Sequence, residues 1–185
     1  TRILLYKLGN IKYFSYIYIK VSMLYKEFIK SIPNHPIEGV LYRDIQPLLA
    51  DPQAFEDAIQ AMTDLIAVSY DKIDYFVGIE SRGFIFATAM SWITNTGLKL
   101  IRKEGKLPPN DLETISYDTE YSTDVIQMER GWGNVILVDD VLATGGTIKA
   151  SERLATKAGY QVIDSLCLMD IGIIKNHNIK CLISY

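Results

Sequence analysis

The chain has 185 residues, with 19 Lys and Arg against 22 Asp and Glu, a net charge of −3 and 49% apolar residues. That length suffices for one domain with a substantial core, and the near balance of charge excludes a nucleic-acid partner held by bulk electrostatics. No apolar run approaches the ~20 residues that cross a bilayer, so a soluble, cytoplasmic protein without a membrane partner is expected.

Residues 1–22, TRILLYKLGNIKYFSYIYIKVS, are rich in Ile, Tyr and Lys and contain no acidic residue. Lys7, Lys12 and Lys20 interrupt them too often for the core of a signal peptide. This stretch is expected to be an extension outside the fold, with Met23 as the natural start and residues 23–185 as a single domain. MLYKEFIKSIPNHP reads as a short helix stopped by Pro33 and Pro36. GVLYRDIQPLLADP reads as a loop with a short strand. Asp51 and Pro52 then open a helix, as N-cap and first-turn proline. Phe55, Ile59, Met62 and Ile66 recur along it at the spacing of a core-facing stripe.

Strands and helices alternate from there. IDYFVGIE reads as a strand, SRGFIFATAMSWITN as a turn and helix, and LKLIRK as a second strand. Residues 104–129 are polar and turn-rich, with two strand-like pieces around Tyr117 and Val125. VILV at 135–138 has the composition of a buried strand. The helix-spaced IKASERLATKAG follows, and YQVIDSLCLMD and KCLISY supply two last strands. Cys167 and Cys181, both in apolar surroundings and at no metal-binding spacing, read as buried free thiols. The alternation predicts an α/β fold with a parallel sheet.

Ligands of such sheets bind beyond the carboxyl ends of the strands. Three predicted strands end there in charged or turn residues: Glu80-Ser81-Arg82-Gly83, Arg102 to Lys106, and Asp139-Asp140. After the two aspartates, Ala143, Thr144, Gly145, Gly146 and Thr147 form a small turn leading into a helix. Backbone N–H groups of such a turn, with the helix amino end, suit a phosphate. The lysine of a P-loop and the dinucleotide fingerprint are both missing. Paired carboxylates beside a phosphate suit the 2′- and 3′-hydroxyls of a ribose, with magnesium offsetting charge. Arg82, Arg102, Lys103 and Lys106 suit a second polyanion such as pyrophosphate. One ribose, one phosphate and one diphosphate together describe 5-phosphoribosyl 1-pyrophosphate.

From about Ile32 to Tyr185 the chain resembles the type I phosphoribosyltransferases. DDVLATGGT is similar to the family's phosphoribosyl pyrophosphate signature. GVLYRDI, GIESRGFIF, IRKEGKLP and SYDTEYSTD are similar, in order, to segments of its adenine-using members. The resemblance implies a twisted, mainly parallel sheet flanked by helices, with a small hood from about residues 31–50 and the carboxyl-terminal part. It implies transfer of the phosphoribosyl group to adenine, giving AMP and pyrophosphate, in a homodimer. Mg2+ would be held through substrate and water near Asp139 and Asp140, with no direct protein ligand. Ala143 to Thr147 would bind the 5′-phosphate, and Asp139 and Asp140 would face the ribose. Ser81, Arg82, Arg102, Lys103 and Lys106 would contact pyrophosphate, with a cis peptide at Glu80-Ser81. Tyr117, Glu120 and Tyr121 would belong to a mobile loop, Glu120 acting at the reacting centre with Asp139, Asp140 and Arg82. Leu41, Tyr42, Arg43 and Ile171 would surround the adenine ring. The chain departs from the family at Ala87, where glycine is usual, in the short ERGWGN link, and in IGIIKNHNIKCLISY. Transfer to another purine, or nucleotide sensing without transfer, are the alternative expectations.

Overall fold

A computed structural model describes residues 24–67, 72–118, 123–175 and 177–185. They fall into two compact units, one ending at Phe55 and one running from Glu56 to Tyr185. Residues 1–22 and Met23 lie outside the described residues.

In the first unit, β1 (Lys30–Pro33) and β2 (Leu41–Asp44) form an antiparallel hairpin that pairs Lys30 with Asp44 and Pro33 with Leu41. Its connection is closed by the Gly39 N–H donating to Asn34 Oδ1 at 2.9 Å. Among the described residues the helix ends at 26, so the helix expected up to Pro33 gives way to a strand. The β-branched Ile32 gains a cross-strand partner in Tyr42, which a short isolated helix would not provide. The loop expected after β2 also contains a helix, α1 (Gln46–Ala50). Asp44 Oδ1 accepts the Gln46 N–H at 2.9 Å, Pro47 sits in the first turn, and Leu48 is fully buried. These local anchors make helical a segment too short to show periodicity. The helix α2 (Pro52–Ala67) begins as expected, with Asp51 Oδ1 accepting the Ala54 N–H at 2.9 Å. Ile59, Met62 and Ile66 are buried along it, and Phe55 is half-buried.

The second unit is built on a seven-stranded sheet. Its elements are β3 (Tyr75–Ile79), α3 (Gly83–Thr94), β4 (Gly97–Lys103), β5 (Leu112–Asp118), β6 (Thr123–Glu129), β7 (Asn134–Leu142), α4 (Gly146–Lys157), β8 (Gln161–Asp170) and β9 (Lys180–Ser184). The strand order is β5-β6-β4-β3-β7-β8-β9. The five strands from β4 to β9 in that order are parallel, and the β5–β6 hairpin joins β4 antiparallel through Arg102–Gln127 and Lys103–Ile126. Val77, Ile79, Val135 and Leu137 form one core with Ile148, Leu154 and Ala155 of α4. Cys167 and Cys181 are buried and not joined in a disulfide, as expected.

The helix α3 packs on β3, β4 and β7. A Cβ at Gly78 would lie 3.0 Å from Phe84 Cα and 3.1 Å from Ala87 Cβ. The bare backbone of β3 thus makes room for the methyl group of Ala87, the position that departs from the resemblance.

Candidate active site

From β3 the chain passes through α3 to β4 on one side, and from β7 through α4 to β8 on the other. The strand order therefore reverses between β3 and β7, where an α/β sheet opens a crevice at its carboxyl edge. A cleft of about 350 Å³ lies there, lined by the ends of β3, β4 and β7 and by residues of β5 and β6. The size falls within the range of small-molecule sites.

Close packing puts the carboxylates in that cleft. At the start of α3, a Cβ on Gly83 would lie 2.5 Å from the Val138 carbonyl oxygen and 3.2 Å from Asp139 Cα. Glycine therefore lets α3 begin against the end of β7, beside Asp139. Asp139 Oδ1 accepts the Asp140 N–H at 2.9 Å, and Asp140 Oδ2 is 2.8 Å from Arg82 Nε. That contact is an ion pair without an aligned hydrogen bond, and it leaves the oxygen open to a donor. Burial raises the proton affinity of both aspartates, most of all Asp139, which also feels the charge of Asp140; Arg82 counteracts the rise in each. The ionised pair is therefore short of compensating charge, which a bound cation or hydroxyl donors would supply.

Ala143 and Thr147 line the same cleft. Gly145 takes φ 74°, a backbone angle that favours glycine, and serves as the N-cap of α4. No side chain caps the helix, so its first N–H groups are left for an anion. Tyr117 reaches the loop from β5, its hydroxyl 3.4 Å from Thr147 Oγ1.

Opposite stands the basic edge. The Glu80–Ser81 peptide bond is cis. Glu80 Oε2 accepts the Lys103 backbone N–H at 2.8 Å and lies 3.4 Å from Arg102 Nε. Burial works to raise its carboxyl, but these two donors outweigh it and hold Glu80 below its ordinary value. Glu80 thereby ties β3 to the end of β4. Lys103 Nζ sits 3.4 Å from both oxygens of Asp124.

Of the residues expected from the sequence, Ser81, Arg82, Lys103, Tyr117, Asp139, Asp140, Ala143 and Thr147 are brought to this one cleft. Arg102 does not line it, donating instead to the Lys106 carbonyl at 3.1 Å, and Lys106 is exposed on the following turn. Thr144 is exposed beside the buried Gly145, and Gly146 opens α4. Leu41, Tyr42 and Arg43 lie on β2 in the first unit, Tyr42 edge-on to His35 and Arg43 donating to the Ser31 hydroxyl. Ile171 follows β8, its N–H donating to the Leu142 carbonyl at 3.1 Å. Glu120 and Tyr121 lie outside the described residues. Sequence reasoning did not single out Asp124, which lines the cleft, nor the bridging role of Glu80.

A sequence profile of the phosphoribosyl transferase domain matches residues 47–182. The chain is 42% identical over 147 residues to the adenine phosphoribosyltransferase of Hydrogenovibrio crunogenus, covering 78% of this chain and 84% of that protein. It is 39% identical over 171 residues to that of Pseudothermotoga lettingae, covering 86% and 98%. Among solved structures it is similar to the adenine phosphoribosyltransferase of Rhodothermus marinus, with a TM-score of 0.80 and 32% identity over 90% of this chain and 99% of that one. The Saccharomyces cerevisiae enzyme, complexed with an imino-altritol bisphosphate and adenine, matches with a TM-score of 0.80 and 30% identity over 88% and 97%.

Proposed function

The chain belongs to the phosphoribosyl transferase family, and from that membership we infer that it joins adenine to the phosphoribosyl group of 5-phosphoribosyl 1-pyrophosphate, releasing AMP and pyrophosphate. The observation that carries the reading is the single cleft that gathers an aspartate pair, Asp140 buried and Asp139 half-buried, with an uncapped helix amino end and two cations. In the reaction adenine N9 bonds to C1 of the ribose, the bond from C1 to the diphosphate oxygen breaks, and the N9 proton is lost. The first N–H groups of α4 with Thr147 hold the 5′-phosphate. Asp139 and Asp140 accept hydrogen bonds from the ribose hydroxyls, which fixes the sugar over the cleft floor. Arg82 and Lys103 stabilise the negative charge gathering on the departing diphosphate. By the likeness of SYDTEYSTD to segments of adenine-using members, Glu120 is the carboxylate assigned to stabilise the sugar cation or take the adenine proton.

The donor set fits magnesium. Two adjacent carboxylates with raised proton affinity attract a cation, and no cluster of three or more acidic, His or Cys ligands exists among the described residues. Asp139 and Asp140 would hold the ion through water and substrate oxygens, where it neutralises diphosphate charge. The chain works in the cytoplasm as a homodimer. Trp92, 83% exposed, and Ile85 give α3 an apolar outer face that suits a second copy. Light scattering reads that assembly directly.

The test mixes protein, 5-phosphoribosyl 1-pyrophosphate and magnesium with adenine, hypoxanthine, guanine or xanthine, and follows pyrophosphate release. Turnover is expected with adenine alone and is expected to fall at least 100-fold in the double variant Asp139→Asn/Asp140→Asn, on the scale of lost transition-state electrostatics. Turnover with a different base would refute the choice of adenine. Binding without turnover on any base would refute the enzyme.

A further inference from the structure

Among the described residues, two cations line the cleft and each is paired with an acid, Arg82 with the buried Asp140 and Lys103 with the more exposed Asp124. Lys103 Nζ lies 3.4 Å from both Asp124 oxygens, and both side chains line the cleft. The pair joins the end of β4 to the start of β6, across the antiparallel seam where Lys103 faces Ile126. Glu80 is already engaged with the Lys103 backbone N–H and with Arg102, so it does not compete for the ammonium. With the Lys103 side chain 57% exposed and that of Asp124 28% exposed, the pair is weak and exchangeable.

We propose that Asp124 sets how tightly the cleft holds the diphosphate, by giving Lys103 a carboxylate to return to when the diphosphate leaves. This rests on the reading of the basic edge as a diphosphate site. In the empty cleft Asp124 cancels the charge of Lys103. When a diphosphate arrives, the lysine turns to it, and Asp124 remains in the same cleft as an uncompensated negative charge that opposes the bound anion. The reverse exchange favours release. Asp124 is therefore a positioning residue that weakens ground-state binding of the leaving group and keeps product release from limiting turnover. It forms no bond to the reacting atoms.

The test is calorimetric titration of the full chain with inorganic pyrophosphate and magnesium, at low and high salt, for the unaltered protein and four variants. Asp124→Asn is expected to bind about two- to fivefold more tightly, the range of a partly exposed ion pair, and the gain should shrink at high salt. Asp124→Glu should restore the original affinity. Lys103→Ala should bind more weakly, and adding Asp124→Asn to it should give less than the gain seen alone. Unchanged or weaker binding in Asp124→Asn overturns the proposal, as does an equal gain with or without Lys103. If Lys103→Ala binds pyrophosphate as well as the unaltered protein, the diphosphate reading of the basic edge fails instead. A purely structural Asp124 would lower the melting temperature without these affinity changes, and that result also overturns the proposal.

Discussion

Asp139 and Asp140 occupy a position that costs stability. Burial raises the proton affinity of both above the ordinary aspartate value of 3.8, and the charge of Asp140 raises that of Asp139 further. In the pH window that opens above 3.8, the folded chain therefore binds more protons than the unfolded chain, and stability falls as pH rises through it. Asparagine at 139 keeps the shape and cannot ionise. Asp139→Asn is expected to melt several degrees higher than the unaltered protein at pH 7, with the difference closing toward pH 4; about 1 kcal/mol corresponds to 2–4 °C in a chain of this size. Calorimetric melting across that range measures it. A variant that gains stability while losing activity identifies a carboxylate kept for chemistry.

Secondary elements meet this site through glycine. The backbone of β7 leaves no space at Gly83 for even a methyl group. Gly83→Ala must push α3 away from β7, and urea unfolding is expected to show a loss of about 1–3 kcal/mol, the usual cost of overpacking. Among the described residues, the strands β2 to β9 and the helices α2, α3 and α4 illustrate what was legible. Nearly all of them announce themselves through apolar runs, capping residues or helical spacing, and the acidic and basic strand ends point to the crevice from sequence alone. β1 was hidden because four residues ending in a proline carry no period. α1 was hidden because its helical form rests on Asp44 and on burial of Leu48, which no five-residue pattern displays. Asp124 escaped notice for a different reason. Its meaning comes from Lys103, 21 residues away in sequence, and only the antiparallel register of β4 and β6 brings the two together. Arg102 and Lys106 show the converse, since membership in a basic run does not decide which cations reach the cleft.

At the level of the whole sheet, the junction between β4 and β6 is the narrow place. Two residue pairs are in register there, against eight pairs between Asn134 and Leu142 of β7 and their partners on β8, shifted once between Val135 and Ile136. The hairpin is held besides by α4, which packs on β5 and β6. Backbone amides of β5 and β6 are expected to exchange with solvent deuterium faster than those of β3, β7 and β8, by opening as a cooperative unit below the global unfolding free energy. Equal protection across all these strands would show that the hairpin opens only with the rest. The consequence concerns the cleft itself. Tyr117 and Asp124 belong to the hairpin, whereas Asp139, Asp140 and Thr147 belong to the parallel core and its helix. One wall can melt and anneal while the other stays set, so mutations that loosen the seam should broaden what the pocket admits long before they unfold the protein.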